Sequence, residues 1–302
     1  MANKFPRMSR RTALAALATA AGVLAAREIR AAPARLTASS GNAIASSGRL
    51  KQSVCRWPYA SMPLPELCRR AKQIGFTAID LLFPDEWSIA ADAGLTISMG
   101  YASRREKFIQ TGFNDPANHA LLLEELNMAL PLASRAHVPN VIAMFGNRVS
   151  AIDEATAISN CVAGLSKIAP LAEKHDVTIC VELLNSKVDH PGYQGDRTGF
   201  GVAVMRGVNS PRVKLLYDIY HMQIMEGDVI RTIRDNINWM GHFHTGGVPG
   251  RHEINDSQEL NYHAIAAALA DLNYQGYLAH EFKPTRSDPF VSLTEAYQLC
   301  TV

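Results

Sequence analysis

Four apolar runs in the second half of the chain each carry one ionisable residue near their end. VTICVELLN holds Glu182, VKLLYDIYH holds Asp218, MGHFHTGG holds His244 and YLAHEFKP holds Glu281. A charge inside an apolar run is expensive to bury without a partner. Four in succession, 36, 26 and 37 residues apart, point to a shared task, since each interval is close to one strand–helix unit. Three carboxylates brought together repel one another and raise each other's pKa values. A divalent cation removes that repulsion. Two Glu, one Asp and one His, with room for water or substrate, suit Mn2+ or Mg2+, with Co2+ or Zn2+ also admissible. Each residue also has a plain structural reading: ion-pair halves for Glu182 and Glu281, a loop cap for Asp218, and for His244 a satisfied core histidine, the reading that fits His242.

The elements that must position these groups are short apolar runs alternating with amphipathic stretches. The runs are 53–57, 78–83, 95–100, 140–145, 177–184, 213–220, 240–244 and 277–282; helical spacing is clearest over 64–74, 116–137, 152–175, 262–272 and 289–299. Near-continuous apolar strands between helices imply a parallel sheet covered on its outside. Eight units at about 31 residues each predict a single-domain α/β fold, a (β/α)8 TIM barrel, over residues 51–302. The competing arrangement, an open doubly wound sheet, normally carries a Gly-rich first turn, and no G-x-G-x-x-G or Walker pattern follows any run. Period-two alternation places Cys180, Leu216, His242 and Ala279 in the inward layer beneath the four ionisable residues.

Further candidates follow the same strand ends. His221 comes three residues after Asp218, and Arg251 sits in GGVPGRHE after the seventh run, where a cation would orient substrate oxygens. Asn185, His252 and Glu253 are weaker candidates, since loop charges are commonly just solvated. Asn147 is a candidate polar wall, and Trp57 and Phe113 candidate apolar walls, of a sugar-sized pocket. Residues 101–115 form a long loop on the side of the barrel where lids occur.

The N-terminus reads as an address. Ser9-Arg10-Arg11 precedes an Ala-rich apolar stretch, and Ala32-Pro33-Ala34 has a small-x-small pattern. This resembles a twin-arginine signal over residues 1–34, which implies a periplasmic or secreted location, and Ser/Gly/Ala-rich residues 35–50 read as a flexible linker. The formal charge of +2 belongs to this segment: without its six basic and one acidic residues, 24 basic and 27 acidic remain, a net of −3. A phosphate-tracking surface is not indicated. The 5 cysteines are an odd number with no Cys-x-x-Cys pair; they read as small buried hydrophobes, with pairing left open.

The segments GFNDPANH, VPNVIAMFGN, ICVELLN, DIYHMQ, HFHTGGVPGRHE, ELNY and GYLAHEFKP resemble the hydroxypyruvate isomerase-like family of the xylose isomerase-like TIM-barrel superfamily, which also includes ketose 3-epimerases. The resemblance spans nearly all of residues 53–300. It implies that Glu182, Asp218, His244 and Glu281 ligate a divalent metal, that Glu182 and Glu281 transfer protons, and that His221 and Arg251 face substrate. The implied reaction is enediolate-mediated aldose–ketose isomerisation or epimerisation of a small sugar or keto acid. His244 is the epimerase-like choice at its position, where hydroxypyruvate isomerases often carry Gln, and the export signal is a second departure from that family. Expected partners are a small-molecule substrate, no nucleic acid and no stable membrane insertion after processing, with a homo-oligomer left open. Three further readings stay open: a multinuclear-zinc phosphodiesterase of the endonuclease IV type, a metal-dependent lyase or hydrolase on keto-sugars, and a non-catalytic sugar-binding barrel.

Overall fold

The structure, a computed structural model, describes residues 48–302. The leader expected over residues 1–34 and most of the expected linker lie outside the described residues. The end of that linker is not free. Arg49 donates its backbone N–H to the Val302 carbonyl at 2.9 Å, and Leu50 is buried.

Eight strands close into a barrel: β1 Lys51–Cys55, β2 Ala78–Leu82, β3 Thr96–Tyr101, β4 Asn140–Met144, β5 Thr178–Leu183, β6 Val213–Asp218, β7 Met240–Thr245 and β8 Tyr277–His280. Each pairs in parallel with its neighbours in sequence, and β8 pairs with β1. This is the expected (β/α)8 TIM barrel. Along the strand-to-helix path run α1 Leu64–Ile74, α2 Trp87–Asp92, α3 His119–Arg135, α4 Glu154–His175, α5 Thr198–Val208, α6 Ile219–Met225, α7 Val229–Asn236, α8 Tyr262–Asp271 and α9 Pro289–Leu299. None of the described helices is long and apolar enough to cross a membrane. The first strand begins and ends two residues earlier than its apolar run suggested, because Trp57 is already in a 3-10 turn with Pro58. Helices α2, α5, α6 and α7 were not anticipated: α2 and α6 are too short, α5 is almost uniformly apolar, and α7, though amphipathic, spans only 8 residues.

Local chemistry explains the elements. In α1 the buried Leu64, Leu67, Cys68 and Ala71 follow i, i+3, i+4, i+7 spacing, with Glu66 in the first turn and Lys72 in the last, where the helix dipole favours them. The helix stops at Gly75, whose φ of +122° is open to glycine, and a Cβ there would meet the Tyr297 hydroxyl at 2.8 Å. Asp153 and Asp288 cap α4 and α9 by accepting from Thr156 N–H and Phe290 N–H.

Two layers of packing result. Outside the strands, Val54, Ile79, Val141, Ile179, Leu215 and Leu278 meet the helices. Inside, the filling is unusually polar, with Ser53, Asp80, Ser98, Asn140, Thr178 and His242 all buried. The long β3–α3 loop is fastened to the barrel: Phe113 and Asn114 donate backbone N–H to the carbonyls of Met144 and Phe145, and Asn147 donates to Gln110. This needs Gly112, where a Cβ would collide with the Phe145 backbone at 2.1 Å. All five thiols are buried and unpaired.

His280 in the outer layer has both ring nitrogens engaged without a charge. Nε2 lies 2.9 Å from Gln52 Oε1 and Nδ1 lies 3.1 Å from the Thr245 hydroxyl. Burial pushes its pKa down to about 3. Between the unfolded value near 6.5 and this folded value the unfolded chain binds more protons, so stability contributed by His280 is complete above the unfolded pKa and lost as pH falls through that window. Urea unfolding at pH 7 and pH 4 checks this. His280→Gln is expected to lessen the loss on acidification, by up to about 1.4 kcal/mol per pH unit inside the window.

Candidate active site

The carboxyl ends of β5 to β8 bring the four ionisable residues to one place. One donor atom from each of Glu182, Asp218, His244 and Glu281 lies within 4.8 Å of the others, and all four residues are buried. Pairing register explains the convergence. Asp218 stands opposite His244 in the β6–β7 ladder, Glu182 ends the β4–β5 ladder opposite Met144, and Glu281 N–H is bonded to the Thr245 carbonyl just past β8.

His221 and Arg251 join them, so the four strand-end residues and these two share one site. Asp218 caps α6 by accepting from His221 N–H at 3.1 Å, and its other oxygen accepts from Arg251 Nη2 at 3.0 Å. It is thus both the expected cap and a member of the cluster. Arg251 also bonds the Glu281 carboxylate and donates through Nη1 to His221 Nε2 at 2.8 Å. The Trp57 indole donates to Glu281 Oε1 at 2.5 Å. Arg251 sits at φ +58° in the β7–α8 loop with its guanidinium against the rings of Trp57 and Tyr220. A non-glycine residue in that conformation is a strained one held by its surroundings.

Electrostatics sets the character of the site. Burial raises Glu182 above the usual carboxylate range. Burial also lifts Asp218, against the pull of Arg251, to about 7. Glu281 goes the other way: burial alone would raise it, but Arg251 and His244 hold it well below the ordinary value. For His244 burial is outweighed by Glu281 and Asp80, and the imidazole is pushed up. His221 is held neutral by burial and by Arg251. Four acids, counting Asp80, therefore face two cations, Arg251 and His244, in a water-poor space where charge interactions are strong.

A divalent cation fits this donor set. His244 Nδ1 is fully buried without a hydrogen bond, 2.6 Å from Glu281 Oε2 and 3.4 Å from Glu182 Oε1. An imidazole nitrogen and three carboxylates aimed at one point match the nitrogen and oxygen donors that Mn2+, Mg2+, Co2+ and Zn2+ accept.

Glu182 and Glu281 of the cluster, with Arg251, line a cavity of about 380 Å³. Its walls divide by strand. Toward β5–β8 and β1 they are polar, with Glu182, Asp189, His190, Arg251, Glu281 and Lys283; toward β2–β4 they are apolar, with Leu81, Tyr101, Phe108, Ile109, Ile142 and Met144. Trp57 lines the cavity as expected. Phe113 does not: it is fully buried beside His119, because its backbone is zipped to the end of β4. Asn147 is also not a cavity wall; it pairs with Tyr193 in an isolated bridge. Asn185 supports His221, its amide 2.6 Å from Nδ1. Glu253 is structural, accepting from Thr285 and Ser292, and His252 is exposed. Several cavity-lining residues, Lys283 among them, escaped the sequence reading, as did two supporting contributors. Asp80 is fully buried beneath His244, and Tyr101 stacks on Phe83 beside the cavity. A lone acid inside the apolar AIDLL strand was a legible signal for Asp80; Tyr101 gave none.

Known proteins were compared with the chain. Residues 68–296 match the family model described as xylose isomerase-like TIM barrel. The 2-oxo-tetronate isomerase of Cupriavidus necator is 31% identical over 218 residues, covering 70% of this chain and 83% of that protein. A human putative hydroxypyruvate isomerase is 27% identical over 265 residues, covering 85% and 86%. In fold, the chain superimposes with a TM-score of 0.71 on the crystal structure of an AP endonuclease, family 2, from Brucella melitensis, at 24% identity over 82% of this chain and 99% of that one.

The charge arrangement has a thermodynamic consequence. Arg251→Gln leaves Asp218 and Glu281 buried without their guanidinium, and breaking a buried pair costs about 3–5 kcal/mol. Urea unfolding in the presence of a chelator is expected to show a loss of that order. The loss shrinks when Mn2+ is added, because an ion bound by the folded state stabilises it by mass action. Wild-type stability of the variant in chelator would show that Arg251 does not neutralise the site.

Proposed function

The chain belongs to the xylose isomerase-like TIM-barrel family, and on that premise we propose that it is a divalent-metal-dependent isomerase or epimerase of a small α-hydroxyketone, a ketose or hydroxy keto acid. The observation that carries this reading is the convergence of Glu182 and Glu281, from the ends of strands three places apart, on one donor cluster.

The reaction needs a proton removed beside a carbonyl and one returned elsewhere. Either glutamate serves as base while the other returns a proton to the neighbouring carbon, which gives isomerisation, or to the opposite face of the same carbon, which gives epimerisation. Glu182, Asp218, His244 and Glu281 would hold the ion. When bound, the ion supplies positive charge that stabilises the substrate oxyanion of the enediolate. Arg251, held by Asp218 and Glu281, presents its guanidinium to the cavity beside the glutamates. The neutral His221 behind it fixes its direction. Lys283 at the rim offers a cation to a carboxylate or hydroxyl farther along the substrate. The apolar β2–β4 wall leaves no second ionic site opposite, which favours a short substrate whose polar end lies at the glutamates. The similarity to relatives described as 2-oxo-tetronate and hydroxypyruvate isomerases supports the same class.

Export belongs to the proposal too. The twin arginines Arg10 and Arg11 with the following apolar segment support a periplasmic or secreted location.

Incubation of the Mn2+-loaded protein with a panel of ketoses, aldoses and keto acids in deuterated water, followed by NMR, tests the chemistry. Isomerisation or epimerisation with unchanged product mass apart from deuterium supports the reading; loss of water from the substrate would assign a lyase instead. Glu182→Gln and Glu281→Gln are each expected to lower turnover by at least about 10²–10⁴-fold while the circular dichroism spectrum is retained. A variant with the wild-type rate rejects the role of that glutamate. For location, Arg10→Lys with Arg11→Lys is expected to hold the full-length chain in the cytoplasm on fractionation, and unchanged export would reject the twin-arginine route.

A further inference from the structure

Strand β2 reads AIDLL, and its middle residue is the one acid of an otherwise apolar strand. The β2–β3 register shifts on both sides of Asp80, and the following Leu81 has a φ of +58°. Bulges of this kind re-aim a side chain, and a bulky residue at positive φ stores strain that the surroundings must hold. Asp80 faces inward by the ordinary strand alternation, opposite Cys55, while Leu81 is turned to line the cavity; Asp80 has no solvent exposure at all.

Both carboxylate oxygens are engaged from three other strands. Oδ2 lies 2.9 Å from His244 Nε2 and accepts from the Cys55 thiol on β1 at 3.4 Å. Oδ1 accepts from the Ser98 hydroxyl on β3 and lies 3.1 Å from Nε2 of His242 on β7. The Asp80–His244 contact matters most: the charged ring carries a proton on each nitrogen, but a cation held at the cluster requires the neutral ring, which carries only one. With that proton on Nε2, directed at Asp80, the lone pair of Nδ1 faces Glu182 and Glu281. With the proton on Nδ1, the ring would offer no donor atom to the cluster.

We propose that Asp80 is the positioning residue of this site: it fixes the ring orientation and tautomer of His244 so that Nδ1 is the atom offered to a bound cation. The inference rests on the reading that Glu182, Asp218, His244 and Glu281 hold a divalent ion. Asp80 touches neither ion nor substrate and acts only through His244. Ser98 holds its carboxylate from the far side by a hydrogen bond, with His242 Nε2 in contact at 3.1 Å.

The first test uses the wild-type protein both without metal and with Mg2+ bound, since only the ion-bound, neutral ring reports the tautomer. The His244 Nε2–H is expected as a slowly exchanging, downfield proton resonance in 15N-histidine-labelled protein, assigned by its loss in His244→Gln. Its absence, or a proton found only on Nδ1 with Mg2+ bound, overturns the proposal. The second test is calorimetric titration with Mn2+. Asp80→Asn and Asp80→Leu are expected to bind about 10–100-fold more weakly than wild type, with Asp80→Leu also losing the resonance, while melting shows both folded. Wild-type affinity in a folded Asp80→Leu overturns the proposal. Binding of two ions per chain, with one lost in His242→Phe, also overturns it, because Nε2 would then be a ligand rather than a donor. If the wild type binds no ion, the reading of the four residues fails, and the Nε2–H resonance still decides the Asp80–His244 contact.

Discussion

Carboxylates do not crowd together in a protein interior unless something offsets their charge. At the mouth of this barrel Glu182, Asp218 and Glu281 are all buried, with Asp80 one layer below. Removing such groups from water costs several kcal/mol each, and placing them side by side adds repulsion. Much of the local architecture can be traced to this constraint. Arg251 is drawn under the rim at positive φ to bridge two of the acids, His244 is driven toward the charged form between Glu281 and Asp80, and Trp57 turns its N–H inward to Glu281. Burial still raises Glu182 and Asp218 despite these offsets, and the donor set they form is compatible with a divalent cation.

The barrel meets the constraint by dividing labour around its circumference. Strands β5–β8 bring the ionisable groups, each from a separate strand, so no single backbone segment carries more than one acid at that level. Strands β2–β4 bring apolar side chains to the opposite wall, extended by Phe108 and Ile109 from the β3–α3 loop. That loop can hold its place because its backbone continues the hydrogen-bonding edge of β4. Below the mouth, polar side chains from β1, β2, β3 and β7 support the donor layer, so the barrel core is part of the site and not only its scaffold.

Under the proposed chemistry, the same site could serve isomerisation or epimerisation: two glutamates in one cluster would define where a proton leaves and returns, and the outcome would depend on how the substrate lies between them. Here the apolar wall and the rim cation Lys283 bear on that orientation, and neither belongs to the donor cluster.

The alternation of apolar runs and amphipathic stretches was enough to identify the barrel, because strand burial and helix amphipathicity are written in local periodicity. The six residues that meet at the mouth were legible for a similar reason: acids, a histidine and an arginine at strand ends stand out against apolar neighbours. Short or uniformly apolar helices such as α2, α5 and α6 carried no periodic contrast, and their existence follows from the need to cover the sheet. The positions of Phe113 and Asn147 were settled by how the β3–α3 loop packs on β4, a contact between segments more than 30 residues apart. Asp80 shows the division best. Its oddity is visible in five letters of sequence, but its partners come from strands that meet only when the barrel closes. Residue types and their periodicity determined the fold and the chemistry available at the strand ends; barrel closure and strand register decided which groups touch, since contacts across a closed sheet have no counterpart in linear spacing.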